Sequence, residues 1–417
     1  MVERLDARNE DPKSIVGRLR RPSGFLSPNV REIARNIVED VRKRGDEALL
    51  EYTQRFDGVS LNEIRVLKEE IEKARDSLPE DVEEAFEIAI NNVRRFSARE
   101  MPKGFELRRA GKILGQRVRP VRRAGIYAPG GHGAYPSSLA MSAVPAQVAG
   151  VDEIAVCAPP GRDGEVSRWV LGVAGLLGLE EVYAVGGAQA ISAMAHGTQS
   201  VTPVNKVFGP GNDFVTAAKL EVFGVVGIDA PQGPSDVVVI ADASAFPERV
   251  AYDLMAQAEH LSGASAILLT PNEELMESVA PLLSGEPAKL ISLVRVRDLS
   301  QAAEISNAYA PEHAHIISED HEAVLNDLRE VGMVAVGDFS PVALSDYAAG
   351  PSHVLPTGGT AAWASPRSVR DFLVRTNYMS FEPDALEEIG PHVERLARLE
   401  GFDNHAKSVR VRRVDGS

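Results

Sequence analysis

Four short clusters in the second half of the chain pair an imidazole with a carboxylate or an amide. They are Gln257-Ala-Glu-His260, Ala310-Pro-Glu-His313, Ser345-Asp346 leading to Ser352-His353, and Glu400-Gly-Phe-Asp-Asn-His405. The chain has nine histidines, and four of them fall here. Mixed nitrogen and oxygen donors suit a borderline divalent cation such as zinc, with acid–base chemistry beside it.

Each cluster has its own chemistry and its own plainer reading. Gln257 and His260 lie in Asp253 to Leu261, good helix sequence. Residues three apart on a helix share a face, so an amide oxygen and an imidazole nitrogen there suit one ion. Taken alone, the pair reads more simply as a helix surface with an incidental histidine, and Glu259 between them points to solvent. Asp346 and His353 lie in a stretch dense in Gly, Pro and Ser, Pro341 to Pro366, which predicts an ordered loop. Loops that place a carboxylate and an imidazole suit a site. An Asx-turn aspartate and a capping histidine are the alternative. His405, close to the end of the chain, means little by itself.

Glu312 and His313 follow Pro311 and lead into an apolar run. Adjacent residues of a regular strand point to opposite faces. Serving one pocket therefore requires an irregular backbone, which Pro311 favours. Histidine is the natural base for a hydroxyl near neutral pH, and a neighbouring carboxylate orients water or a second proton transfer. The alternative is an exposed Glu and a half-buried His at a strand start. His315 reads as packing or surface. Cys157, the only cysteine, ends an apolar run with no histidine beside it. It reads as a packed thiol rather than a nucleophile.

Positioning these residues falls to alternating short apolar runs and small-residue helices. The first hundred residues are mainly helical by spacing, with Ile33, Ile37, Val41, Ala48, Leu49 and Tyr52 on one stripe and Ile64 to Phe96 interrupted at Pro79. From about Ala124, buried strands at Gly125-Ile-Tyr, Glu153-Ile-Ala-Val-Cys, Glu181-Val-Tyr-Ala-Val and Lys206-Val-Phe-Gly alternate with helices such as Ser138 to Ala149 and Val166 to Leu177. A second series contains Asp236-Val-Val-Val-Ile, Ala264-Ser-Ala-Ile-Leu-Leu, His313-Ala-His-Ile-Ile and Gly332-Met-Val-Ala-Val. That alternation predicts parallel α/β units, followed by a helical and extended tail. Glycine-rich turns follow three of the strands, at Tyr127-Ala-Pro-Gly-Gly131, Gly186-Gly-Ala-Gln189 and Gly209-Pro-Gly-Asn212. No GxGxxG or GxxxxGK[ST] is present, yet three such turns at successive strand ends favour a nucleotide crevice.

The totals bound the rest. At 417 residues, two domains are the natural expectation. A formal net charge of -15 argues against nucleic-acid or anionic-membrane partners. The charged amino terminus has no signal-peptide run, and the most apolar stretch, Trp169 to Leu179, is too short to cross a bilayer. With one cysteine and no possible internal disulfide, the expected location is cytoplasmic.

Together these residues resemble one family, histidinol dehydrogenase, over about Arg21 to Arg412. The specific stretches are Tyr127-Ala-Pro-Gly-Gly, Tyr135-Pro-Ser-Ser, Gly186-Gly-Ala-Gln-Ala-Ile, Gly209-Pro-Gly-Asn, Gly233-Pro-Ser, Gln257-Ala-Glu-His, Ala310-Pro-Glu-His, Asp346-Tyr-Ala-Ala-Gly-Pro-Ser-His-Val-Leu-Pro-Thr and Glu400-Gly-Phe-Asp-Asn-His. The resemblance implies NAD-linked, zinc-dependent oxidation of L-histidinol through the aldehyde to L-histidine. It implies zinc on Gln257, His260, Asp346 and His405, and Glu312 with His313 as the acid–base pair. Tyr127, Gln189 and Asn212 would contact NAD. Ser235, His353 and Glu400 would contact substrate, together with the ligands and His313.

The implied fold is α/β, with two incomplete Rossmann-like domains, one inserted in the other, plus N-terminal helices and an exchanged C-terminal tail. The expected boundaries are an N-terminal segment at 1–23, a metal and catalytic domain at 24–123 and 235–366, an NAD domain at 124–234, and a C-terminal segment at 367–417. That segment would pass between the subunits of a homodimer, so Glu400 and His405 would complete the neighbour's site. Gln232, Asp236, Ala314 and Ser352 depart from the family's usual residues. These departures keep open a related zinc and NAD enzyme acting on another small alcohol, such as sulfopropanediol. A catalytically silent metal- or nucleotide-binding protein is the remaining alternative, and the presence of both Glu312 and His313 argues against it.

Overall fold

The structure is a computed structural model that describes residues 2–20, 26–130, 134–231, 233–260 and 263–413. Gly131, Gln232 and Leu261 lie outside the described residues. The chain divides into two units, Met1–Glu100 with Val121–Phe372, and Met101–Pro120 with Leu373–Ser417.

The first unit is α/β with parallel sheets. Its N-terminal strand is β1 (Glu3–Asp6), and the second unit holds β2 (Phe105–Arg109) and β3 (Lys112–Pro120). One sheet of the first unit is built from β4 (Arg123–Tyr127), β5 (Glu153–Ala158), β6 (Val182–Ala184), β7 (Lys206–Phe208) and β8 (Gly227–Ile228). Its strand order is β6-β5-β4-β7-β8. The other sheet uses β9 (Asp236–Ala241), β10 (Ser265–Thr270), β11 (Ile291–Arg295), β12 (His313–Ile317) and β13 (Met333–Val336), with β1 added at the edge. Its order is β1-β11-β10-β9-β12-β13, and every pairing is parallel.

The five-stranded sheet therefore runs outward in two directions from β4, and the six-stranded sheet from β9. The reversal lies between β4 and β7 in one sheet and between β9 and β12 in the other. Such reversals open a crevice at the strand ends. Nearly continuous apolar runs form these strands because both faces are covered by helices. Residues of the helix Pro28–Arg44 share a core with Tyr127, Cys157 and Tyr183 on one face of the five-stranded sheet. Helices Lys68–Asp76, Glu80–Glu100 and Pro136–Ala149 cover the opposite face. Cys157 is fully buried in the first of these cores, as expected of a packed thiol. The six-stranded sheet is covered by Pro247–Ala258 on one side and by Pro12–Leu19 with Leu299–Tyr309 on the other.

Two local expectations change, and the tail is helical and extended as expected. The helical pattern starting at Ile64 yields an extended segment instead, in which the Val66 N–H donates to the Val182 carbonyl and the Ala184 N–H to the Ile64 carbonyl. The helix begins only at Lys68. The loop expected over Pro341 to Pro366 contains a short helix, Ala343–Tyr347, so Asp346 is a helical residue. The extended part of the tail is β14 (Leu373–Phe381), the long antiparallel partner of β3 in a three-stranded sheet, β14-β3-β2.

That sheet belongs to the second unit, with the helices Pro383–Leu399 and Asp403–Arg410. Glu394 joins the two helices. Its carboxylate accepts from Arg398 at 2.9 Å, Arg410 at 2.9 Å and Arg413 at 2.8 Å.

Candidate active site

Glu312 and His313 sit where the backbone departs from regular geometry. Asp298 caps the helix Leu299–Tyr309 by accepting from the Gln301 N–H at 2.8 Å. That helix ends on Ala310, whose φ of 50° and ψ of 64° are left-handed. A non-glycine residue pays about 1 kcal/mol there, and the following Pro311 already disfavours a continued helix. The twist delivers Glu312 just before β12 and His313 as its first residue. Both side chains turn into one interior, with Glu312 6% and His313 3% exposed.

His313 is the hub. Its Nε2 lies 3.6 Å from Asp346 Oδ1 and 4.0 Å from Glu312 Oε1, while Nδ1 has no hydrogen-bond partner. Burial first, then the charges of His353 and His260, push its imidazole down to about 3. The ring is thus neutral across the physiological range, as a base must be. Glu312 moves the opposite way. Burial and the neighbouring Asp236 carboxylate hold it well above the usual carboxylate range.

His353 approaches from the loop after β13. Its Nδ1 is 2.5 Å from the Asp346 carbonyl oxygen, and its Nε2 is 3.1 Å from the Ser138 hydroxyl. Burial pushes this imidazole down to about 4. Burial alone raises the Asp346 carboxyl to about 6. Gln257 lies in the last turn of Pro247–Ala258, buried, with its amide nitrogen unpartnered. The helix stops two residues short of His260, but the turn continues, and the His260 N–H contacts the Gln257 carbonyl at 3.3 Å. His260 and Glu259 are both exposed.

The structure therefore brings Glu312, His313, Asp346, His353 and His260 together near the amino ends of β9 and β12, with Gln257 on the helix turn just before His260. Ser235 borders the same place, and its side chain opposes the upward shift of the Glu312 carboxyl. Among the described residues, no group of three or more His, Cys, Asp or Glu is placed to hold a metal ion. Glu400 and His405 belong to the second unit. Both are exposed, and the His405 ring lies 5.1 Å from that of Phe402.

The three glycine turns mark the carboxyl ends of the five-stranded sheet. Tyr127 closes β4, and its hydroxyl accepts the Gly187 N–H at 3.2 Å. Burial pushes the phenol up to about 12. Gln189 is buried in the helix Gly187–His196. Asn212 is exposed and caps Asp213–Val222, accepting from the Phe214 and Val215 N–H groups at 3.1 Å each. Gly209 has a φ of +127°, and a Cβ there would collide with the Tyr127 carbonyl oxygen.

Several supporting residues escaped sequence reading. Ser138 holds His353. His315 is no surface residue: its Nδ1 lies 2.6 Å from Asp253 and its Nε2 2.9 Å from the Gly337 carbonyl. Asp229 accepts the Gly209 N–H at 2.9 Å and pairs with the buried cations Lys219 and Arg367, while Lys219 Nζ donates to the Gly209 carbonyl at 3.0 Å. These pairings join different elements, so the sequence carries no local signal for them.

Comparison with known proteins agrees in family. The family model described as histidinol dehydrogenase matches residues 20–413. The histidinol dehydrogenase of Bacillus subtilis is 41% identical over 396 residues, covering 92% of this chain and 93% of the relative. That of Methanothermobacter thermautotrophicus is 42% identical over 394 residues, covering 91% and 92%. A crystal structure of histidinol dehydrogenase from Elizabethkingia anophelis superimposes with a TM-score of 0.92 at 33% identity, covering 99% of this chain and 98% of that one. With a parallel α/β fold, a neutral buried histidine beside a carboxyl, and these near full-length matches, the chain belongs to the histidinol dehydrogenase family.

Proposed function

We propose that this chain oxidises L-histidinol through L-histidinaldehyde to L-histidine in two NAD-linked steps, the last steps of histidine biosynthesis. The observation that carries the reading is His313: a buried, neutral imidazole with Nε2 facing two carboxyl groups at 3.6 and 4.0 Å. Family membership supplies the substrate, and the relatives carry the histidinol name, so a sulfonated alcohol is not favoured.

The residues fit zinc. Gln257 offers a buried amide with an unpartnered nitrogen, which marks an amide whose usual partners are missing. Asp346 is desolvated with no cation opposing the shift. An amide oxygen, an imidazole and a carboxylate make a borderline donor set. Gln257, His260 and Asp346 would hold the ion, with His405 as the fourth ligand. When bound, zinc orients and polarises the substrate, and NAD accepts hydride.

The chain's own groups move the protons. His313 Nε2 accepts the hydroxyl proton as the alcohol carbon loses hydride. Glu312 Oε1 then takes a proton from the water that adds to the aldehyde. Its raised basicity makes it a stronger acceptor once ionised. The hydrated aldehyde loses a second hydride and a proton, giving the acid. Ser235, His353 and Glu400 orient the substrate, with Glu400 a natural acceptor for an imidazole N–H. Tyr127, Gln189 and Asn212 contact the dinucleotide at the carboxyl ends of a Rossmann-like sheet. Burial of the site limits loss of the aldehyde between steps.

The same reading makes the protein a cytoplasmic homodimer whose exchanged C-terminal segments bring Glu400 and His405 to the neighbouring subunit. No helix among the described residues is long and apolar enough to cross a membrane. Reduction of NAD with L-histidinol, compared with sulfopropanediol and with no substrate, before and after chelation, tests the activity. Histidinol-dependent, chelator-sensitive reduction supports it; turnover only with the sulfonate overturns it. For the exchange, a Glu400→Ala protein reassembled with a His313→Asn protein regains activity, because one site in the hybrid carries neither lesion. No gain despite demonstrated subunit mixing contradicts the exchange.

A further inference from the structure

Asp236 opens β9 and Glu312 immediately precedes β12, its neighbour in the sheet, where His313 stands opposite Val237. The two acidic residues grip each other's main chain. Asp236 Oδ1 accepts the Glu312 N–H at 2.7 Å, and the Asp236 N–H donates to Glu312 Oε2 at 3.1 Å. Asp236 is 4% exposed, so these contacts are made away from competing water.

The consequence is directional. Glu312 Oε2 is occupied by a backbone donor, which leaves Oε1 as the oxygen facing His313 Nε2 at 4.0 Å. On the other side, the Met333 N–H donates to the Glu312 carbonyl at 2.9 Å, and Gly332 leaves room for it, since a Cβ there would stand 2.6 Å from that oxygen. The peptide of Glu312 is thereby fixed on both sides, and its side chain has one orientation with an oxygen toward the site.

We propose that Asp236 is a positioning residue for the second oxidation, holding the Glu312 carboxyl so that Oε1 meets the water that adds to the aldehyde. The proposal rests on the acid–base reading of Glu312. Asp236 touches neither substrate nor cofactor in this account. Its reciprocal bonds set the angle of Glu312. His313 and Ser235 complete the groups around Glu312, and Arg20 is the cation that acts on Asp236.

The test compares Asp236→Ala, Asp236→Asn and Glu312→Gln in the intact holoenzyme, with histidinol and histidinaldehyde supplied separately as substrates. A displacement of order 1 Å in a catalytic group costs up to about a hundredfold. Asp236→Ala is expected to lower kcat for the aldehyde at least tenfold (~10-fold or more), with KM for histidinol and metal content unchanged. Asp236→Asn, whose amide oxygen still accepts the Glu312 N–H, recovers most of that loss. If Asp236→Ala does not fold, the Asn variant with a displaced pH profile of the aldehyde step carries the same reading. Wild-type aldehyde kinetics in both Asp236 variants, alongside a crippled Glu312→Gln, overturns the positioning role. An unimpaired Glu312→Gln instead overturns the acid–base reading on which it rests.

Discussion

The Ser138 hydroxyl stands 3.1 Å from Nε2 of His353. Ser138 lies on the helix Pro136–Ala149, which packs on the five-stranded sheet, whereas His353 follows the last strand of the six-stranded sheet. One hydrogen bond thus ties a helix at the carboxyl ends of one sheet to the loop at the amino ends of the other. His353 in turn holds the Asp346 main chain through Nδ1.

Ser138→Ala removes this tie without touching the acid–base pair. A hydrogen bond of about 1 kcal/mol is lost, so kcat/KM for histidinol falls about fivefold, through KM rather than kcat. Steady-state kinetics decide it. An unchanged KM means that His353 is oriented by other contacts.

His313→Asn removes the proposed base while leaving Gln257, His260 and Asp346 in place. Turnover drops by about a hundredfold or more, while zinc content, measured by atomic absorption, stays at the wild-type level. Near-normal turnover sinks the assignment of His313; loss of metal moves it among the ligands.

His315 and Asp253 form a buried pair, 1% and 9% exposed, joining β12 to the helix that carries Gln257. Asp253 lies one turn before Gln257 on the same helix. Replacing His315 by Ala leaves a buried carboxylate alone and destabilises the protein by about 3 kcal/mol, read from urea unfolding. Zinc affinity falls in parallel, because the helix end is no longer anchored. A small change in stability with intact metal binding refutes this anchoring role.

Much of this architecture was legible because parallel strands buried on both faces announce themselves as apolar runs. Val237–Ile240, Ile267–Leu269 and Ile154–Cys157 all landed in strands. The tail sheet was harder. Phe105–Arg109 is exposed along its whole length, and its alternating charges resemble a surface loop until β3 and β14 pair with it. At the site, residue types marked Glu312 and His313, and Pro311 flagged the irregular backbone. The sequence does not reveal that the strain falls on Ala310, or that Asp236 and Ser138 brace the functional groups. Those partners are distant in the chain, and the contacts exist only after the sheets have formed.

The pH dependence of stability follows from Asp236. Burial raises its carboxyl from 3.8 to about 7 in the folded chain. An acid whose folded pKa is raised keeps its proton in the native state after the unfolded chain has released it. Its contribution is therefore fully favourable below about 4 and is lost as pH climbs toward 7. Asp236→Asn has no such loss, so stability relative to wild type improves by at most about 1.4 kcal/mol per pH unit over that window. Unfolding free energies of the chelated proteins at several pH values measure it. A constant difference between variant and wild type would falsify the buried-acid assignment.

The central claim is that one chain carries both oxidations. Its most direct test is the stoichiometry of a complete reaction with limiting L-histidinol and excess NAD, following NADH by absorbance and the product by chromatography. The account predicts two NADH (~2, one hydride per oxidation) and one L-histidine for each histidinol consumed, with no aldehyde accumulating. One NADH per histidinol with free aldehyde as the end product, or no reduction at all, contradicts it.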